Sequence, residues 1–177
     1  MGVFKIEANN LCWIDSSIDN PDDLCLHGNV IVKIGDEIYR YNATVSATAL
    51  YLLKSLTEDH IIYDDIQMLP CCGFSIISND DLTNVDIVGC NDGIDWSILH
   101  ENDYVKIVTE KNNEIIVSID EYRYEVYKFV DEIELYYNKC KPKNLPYDEV
   151  DKNGYIAFWN EWNRRRNRNL QKENGFR

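Results

Sequence analysis

Hydrophobic and polar positions change period several times along the chain. Between 73 and 119 the sequence runs GFSIIS, NVDIVGC, IDWSIL, DYVKIV and EIIVSI. These short β-rich runs are cut apart by polar turns at Asn79-Asp80-Asp81, Asn91-Asp92-Gly93, Glu101-Asn102-Asp103 and Lys111-Asn112-Asn113. That alternation predicts an antiparallel meander, with 104–108 and 115–119 as a hairpin around the Asn-rich turn. A second hairpin is predicted for 30–34 and 38–41 about Gly35-Asp36-Glu37. Val3 to Ile6 and Leu11 to Ile14 read as two short β pieces joined by the turn formers Asn9-Asn10. The stretch 61–69 is ambiguous and is read as an edge strand.

Three segments follow a helical period. Ala49, Leu52, Leu53 and Leu56 predict a short helix over about 46–57 with one apolar face, capped by Thr44 or Ser46. Ile119, Tyr122, Val126, Phe129, Ile133, Tyr136 and Cys140 alternate spacings of three and four, which predicts one helix over about 120–140 with Asp120 at its start. Tyr127, Val130 and Tyr137 widen this stripe, so it suits a sheet better than a single partner helix. Tyr155, Phe158, Trp159 and Trp162 share a face of a C-terminal aromatic helix over about 152–168, with Trp159 read as core. Pro142 and Pro146 make 141–150 a stiff linker and a candidate hinge. The whole, 1–177, reads as one α+β domain: an antiparallel sheet from roughly 28–42 and 73–119, covered on one face by the long helix. A partly closed barrel with outer helices is the alternative.

Charge changes the picture. The chain carries 31 Asp and Glu against 18 Lys and Arg, a net charge of −13. Six of the basic residues and one acidic residue fall in 164–177, so 1–163 is near −18 and the tail near +5. The segment 169–177 is read as a basic tail that need not be ordered. Aromatics beside Arg164, Arg165 and Arg166 suit single-stranded nucleic acid, yet so acidic a body would repel a phosphate backbone. Docking of that helix on its own body is the better reading. No run reaches about 18 apolar residues and no secretory leader is visible, so a cytoplasmic protein without a membrane span is expected.

Six cysteines, Cys12, Cys25, Cys71, Cys72, Cys90 and Cys140, are expected to be reduced and free of metal. There is no CxxC pair, and His27, His60 and His100 show no metal-ligand spacing. Phosphate-loop, dinucleotide and nucleophile-elbow patterns are absent. The most distinctive segment is Gly89-Cys90-Asn91-Asp92-Gly93-Ile94-Asp95-Trp96, where Asp92 and Asp95 place carboxylates near a strand end beside Trp96. Its composition also suits a plain turn.

Three segments together, Leu69-Pro-Cys-Cys-Gly73, Gly89-Cys-Asn-Asp-Gly-Ile-Asp-Trp96 and Gly154-Tyr-Ile-Ala-Phe-Trp-Asn-Glu-Trp-Asn-Arg164, resemble a small bacterial family with no assigned activity. The resemblance therefore transfers no site residue. In size, charge and architecture the chain is also similar to immunity proteins of bacterial toxin systems. The sequence is read as a non-enzymatic acidic binding protein, most specifically an immunity-type inhibitor of a basic protein toxin. Its partner-binding residues are expected to be Asp92, Asp95, Trp96, Glu101 and Asp103, with no cofactor. The alternative is a small enzyme or metal-dependent protein that uses Cys71, Cys72, Cys90, Asp92 and Asp95.

Overall fold

The structure is a computed structural model that describes residues 2–15, 18–62, 66–73 and 75–174, the last eight as helix backbone only. The predicted tail falls partly outside, since 175–177 are not among them. Ten strands and three helices follow in the order β1 (Phe4–Cys12), β2 (His27–Ile34), β3 (Glu37–Thr44), α1 (Val45–Lys54), β4 (Leu69–Pro70), β5 (Ser75–Ser78), β6 (Val85–Val88), β7 (Gly93–Ile94), β8 (Trp96–Glu101), β9 (Tyr104–Thr109), β10 (Glu114–Ser118), α2 (Ile119–Lys139) and α3 (Glu149–Asn174). The chain is α+β with antiparallel pairing throughout the described sheets.

The first sheet has the order β1-β2-β3. Gly35 (φ 59) turns the β2–β3 hairpin, a conformation that costs a residue without Cβ least. Val30, Val32 and Ile34 alternate inward and meet Phe4 and Ile6 of β1 in the core. Asn9-Asn10 is not a turn. β1 runs through it with a register shift between Asn9 and Cys12, because Asn10 (φ 53) takes the left-handed region at small cost and forms a bulge.

The predicted 73–119 meander is only partly continuous. β10-β9-β8 is a true three-stranded meander, turned by Asn102 (φ 56) and Asn112 (φ 60). Upstream, β5 pairs only with β6, and β7 pairs with β4 instead of its sequence neighbours. Among the described residues of 61–69 only Leu69 is in a strand, β4, whose other residue is Pro70. The stretch is anchored elsewhere by the His60↔Ile98 bridge.

α1 is buried on every side, Val45 to Leu53 without a gap, where a single apolar face was predicted. It touches β2, β3, β4, α2 and α3, so no face is left for solvent. The Thr44 hydroxyl does not cap the helix and donates to the Cys71 carbonyl instead, while Ser46 Oγ accepts the Leu26 N–H. α2 is capped by Ser118, whose hydroxyl accepts the Glu121 N–H, a role expected of Asp120. Tyr122, Val126, Phe129 and Ile133 of its stripe are buried against β1 and α1. The Tyr122 hydroxyl lies 2.6 Å from Ser55 Oγ at the end of α1.

α3 begins earlier than predicted and lies on β5 and β6. A Cβ at Gly154 would come within 1.8 Å of the Ile76 carbonyl oxygen, so only glycine permits this approach. Phe158 and the fully buried Trp162 are core aromatics of the helix; Trp159 is half-buried in edge contacts with Tyr137, Tyr155 and Phe158. The basic end folds onto the protein's own acids. Arg164 pairs with Glu161, Arg165 with Glu58 and Glu161, and Arg166 with Asp131 and Glu134. The 141–150 segment is tied down too: Asn144 N–H bonds the Pro21 carbonyl, and Lys143 lies 3.2 Å from the centre of the Trp13 ring.

Two expected outcomes test this packing. Trp162→Ala should cost about 3–5 kcal/mol in urea denaturation, and Trp159→Ala less than half of that; the reverse order would contradict the burial. Glu37 joins the β2–β3 turn to the β9–β10 hairpin through Asn113, Thr109 and Lys111, and accepts the Tyr39 hydroxyl of its own strand. Hydrogen bonds from Asn113, then Tyr39, hold its carboxyl down to about 2, from an ordinary 4.5. A depressed carboxylate stabilises the fold above its unfolded pKa and loses that contribution as pH falls through the folded one. Glu37→Gln should therefore lower the melting temperature at pH 7, and the gap to wild type should close between pH 4.5 and 2. A gap independent of pH would refute the linkage.

Candidate functional site

Two short strands build the chemical centre. Leu69↔Ile94 and Pro70↔Gly93 pair antiparallel, and Cys71 N–H bonds the Asp92 carbonyl at 3.1 Å. This brings Cys71-Cys72 opposite Cys90-Asn91-Asp92. Both bracketing glycines are needed for the approach: a Cβ at Gly89 would lie 2.2 Å from the Cys72 carbonyl oxygen, and one at Gly93 2.6 Å from that of Leu69. The sulfurs of Cys71, Cys72 and Cys90 gather within 4.8 Å of one another. Cys71 and Cys90 are joined as a disulfide, which corrects the expectation of six free thiols. The β4·β7 ribbon closes the 19-residue separation between them. Cys72 Sγ is free, 3.0 Å from Cys90 Sγ, and accepts the Cys90 N–H at 3.2 Å.

Cys72 and Gly73 also line a cleft of about 900 Å³. One wall is the loop after β1, with Ile14, Asp15, Asp22, Asp23 and Leu24; the other is Asn144 to Tyr147 with Asp151 at the start of α3. The walls are held together where Asn144 Nδ2 donates to Asp22 at 2.8 Å. Asp23 shapes its loop by accepting the Ile14 and Cys25 N–H groups. Four aspartates and no lysine or arginine line the cleft among the described residues. Ile14, Leu145 and Tyr147 are exposed at its rim, Tyr147 completely. In the floor, burial holds the His27 imidazole below its ordinary pKa, against the pull of Asp23, and its Nε2 has no hydrogen-bond partner among the described residues. Burial, with Asp23 and Cys72 adding to it, pushes the Cys25 thiol up to about 11, and that thiol donates to the Gly73 carbonyl. Cys25 is therefore a protonated structural group.

The five residues expected to bind a partner do not form one surface. Asp95 and Trp96, both expected to bind a partner, are buried, so Asp95 does not sit exposed at a strand end. Asp95 faces inward because its Oδ1 accepts the Met68 N–H at 3.0 Å and lies 2.8 Å from His60 Nε2, which anchors His60 and Met68. Trp96 is core at the first position of β8. Asp92, Glu101 and Asp103 are exposed, with Glu101 paired to Lys106 at 3.2 Å. Asp15, Asp22, Asp23, Asp151, Leu145 and Tyr147 were not singled out from the sequence. Their only signals were the Asn20-Pro21-Asp22-Asp23 break and the Pro142/Pro146 linker, and nothing local says that these two loops meet. No family model, curated protein or solved structure matches the chain, so no residue role is transferred to it.

Asp95→Ala should destabilise the fold by about 1–3 kcal/mol, since it strands a buried N–H and an imidazole. Asp92→Ala should stay within about 0.5 kcal/mol of wild type. Chemical denaturation of both variants checks the pair, and equal effects would contradict the placement.

Proposed function

We propose that the chain is a non-enzymatic acidic binding protein, an immunity-type inhibitor that neutralises a basic protein by docking one of its cationic segments in the cleft. The observation that carries this reading is the cleft's lining of four aspartates without a lysine or arginine, in a chain of net charge −13. Its exposed rim residues Ile14, Leu145 and Tyr147 supply the apolar and aromatic anchors that protein interfaces favour. Arg164 pairs with Glu161, Arg165 with Glu58 and Glu161, and Arg166 with Asp131 and Glu134, and none of these four acids lines the cleft. Complementary charge of this kind speeds encounter and selects basic over acidic partners. The docking face is thus moved from the meander turns to the cleft.

Affinity capture from the native host tests it, with wild type beside Asp22→Asn/Asp151→Asn/Tyr147→Ala and beside Asp92→Asn/Glu101→Gln/Asp103→Asn. The expected result is a basic protein, harmful when expressed alone and tolerated with wild type. The cleft variant should retain it at least tenfold less well and the meander variant should not, with melting temperatures unchanged. Capture should also weaken with salt, because exposed charges are screened over about 8–10 Å near physiological ionic strength. An acidic partner, or capture indifferent to salt and to the cleft substitutions, would refute the proposal.

A further inference from the structure

The Cys71, Cys72 and Cys90 cluster has chemistry that docking does not use. We propose that, once the Cys71–Cys90 bond is reduced, the three thiolates hold one thiophilic divalent cation of the zinc class, with its fourth position open to the cleft. The inference stands apart from the docking reading and rests on the geometry of the cluster.

Three sulfurs lie within 4.8 Å of one another on two backbone segments fixed by the β4·β7 pairing. Zinc–sulfur bonds of about 2.3 Å in a tetrahedral site set sulfur–sulfur edges of about 3.8 Å. The Cys71–Cys72 and Cys72–Cys90 edges are 3.5 and 3.0 Å, so each opens by less than about 1 Å to admit the ion. The Cα atoms of Cys71 and Cys90 are 7.0 Å apart, past the usual disulfide span of about 4.4–6.8 Å and ample for two ligands of one ion. Gly89 and Gly93 keep the loops close enough for this set to exist. The Cys90 N–H already points at Cys72 Sγ, and such amide donors stabilise metal-bound thiolates. Cys72 lines the cleft, which leaves a fourth coordination position accessible to water or to a ligand. Three protein ligands with one open position is the pattern of reactive zinc, whereas closed sites are structural. Cys25 is not in the set: its thiol donates to the Gly73 carbonyl and remains protonated.

The chemistry balances simply. Reducing Cys71–Cys90 takes two electrons from a phosphine in the test; one water molecule gives its oxygen to the phosphine oxide and its two protons to the two thiols. Binding then releases the thiol protons, so affinity should rise with pH.

The full chain, reduced by phosphine under argon, would be titrated with Co²⁺ and then Zn²⁺. The expected result is a thiolate-to-cobalt charge-transfer band that saturates at one ion per chain and is bleached by one equivalent of Zn²⁺. Cys72→Ser and Cys90→Ser should each weaken Co²⁺ binding by at least about 100-fold, as loss of a direct ligand exceeds the 10–100-fold cost of losing an outer partner. Cys25→Ser should bind as wild type does. Zn²⁺ should raise the melting temperature of the reduced wild type in a concentration-dependent way and leave that of Cys72→Ser unmoved. Metal-free melts of each variant separate a lost ligand from a lost fold. Absence of the band, equal binding by Cys72→Ser, equal weakening by Cys25→Ser, or equal binding by unreduced protein would each overturn the proposal.

Discussion

Nine consecutive buried residues in α1, Val45 to Leu53, oblige the rest of the chain to surround them. A helix with no wet face needs cover from every direction, and five other elements supply it: β2, β3, β4, α2 and α3. Thr48, in the middle of α1, is fully buried. The strands β2, β3 and β4 and the C-terminal helix are therefore best understood as walls around a central helix. The long helix joins them through the Tyr122–Ser55 contact at the end of α1.

The C-terminal helix is fixed by charge as much as by aromatics. Glu161 is fully buried, yet its oxygens receive the Val85 N–H at 2.8 Å and Arg165 Nε at 2.8 Å, with Lys54 Nζ 3.6 Å away. A buried carboxylate is tolerable only when its lone pairs are met in this way, and removing one partner is far costlier than the pair is worth. The same arrangement clamps α3 to both α1 and β6. It also accounts for the arginines that suggested a nucleic-acid surface: three of them are occupied within the protein.

Much of the fold was legible because it is local. Period-two alternation gave the β2–β3 and β9–β10 hairpins, and the three-four spacing of Tyr122 to Ile133 gave α2. What escaped was long-range. The pairing of β7 with β4 leaves no trace in either two-residue strand, and it broke the expected meander. The grouping of Cys71, Cys72 and Cys90 was legible only as the alternative reading, since ligand-spacing rules look within one loop while Cys90 arrives from across the ribbon. Asp95 and Trp96 were misplaced because a carboxylate beside a turn is usually wet; here a His60 side chain and a Met68 N–H were waiting inside. The cleft was illegible in principle from local pattern, as its walls are contributed by stretches some 120 residues apart.

That distance gives the cleft a property that a single-loop site lacks. Its walls are contiguous only after β1, β2 and the foot of α3 have all been placed, so no fragment or half-folded chain can present it. Whatever occupies it binds the finished fold alone, and mass action then returns the binding free energy to the whole molecule instead of to one loop. Occupancy would slow the separation of the two chain ends that unfolding requires. A molecule bound there would act as a removable cross-link between the stretches around Asp22 and Asn144.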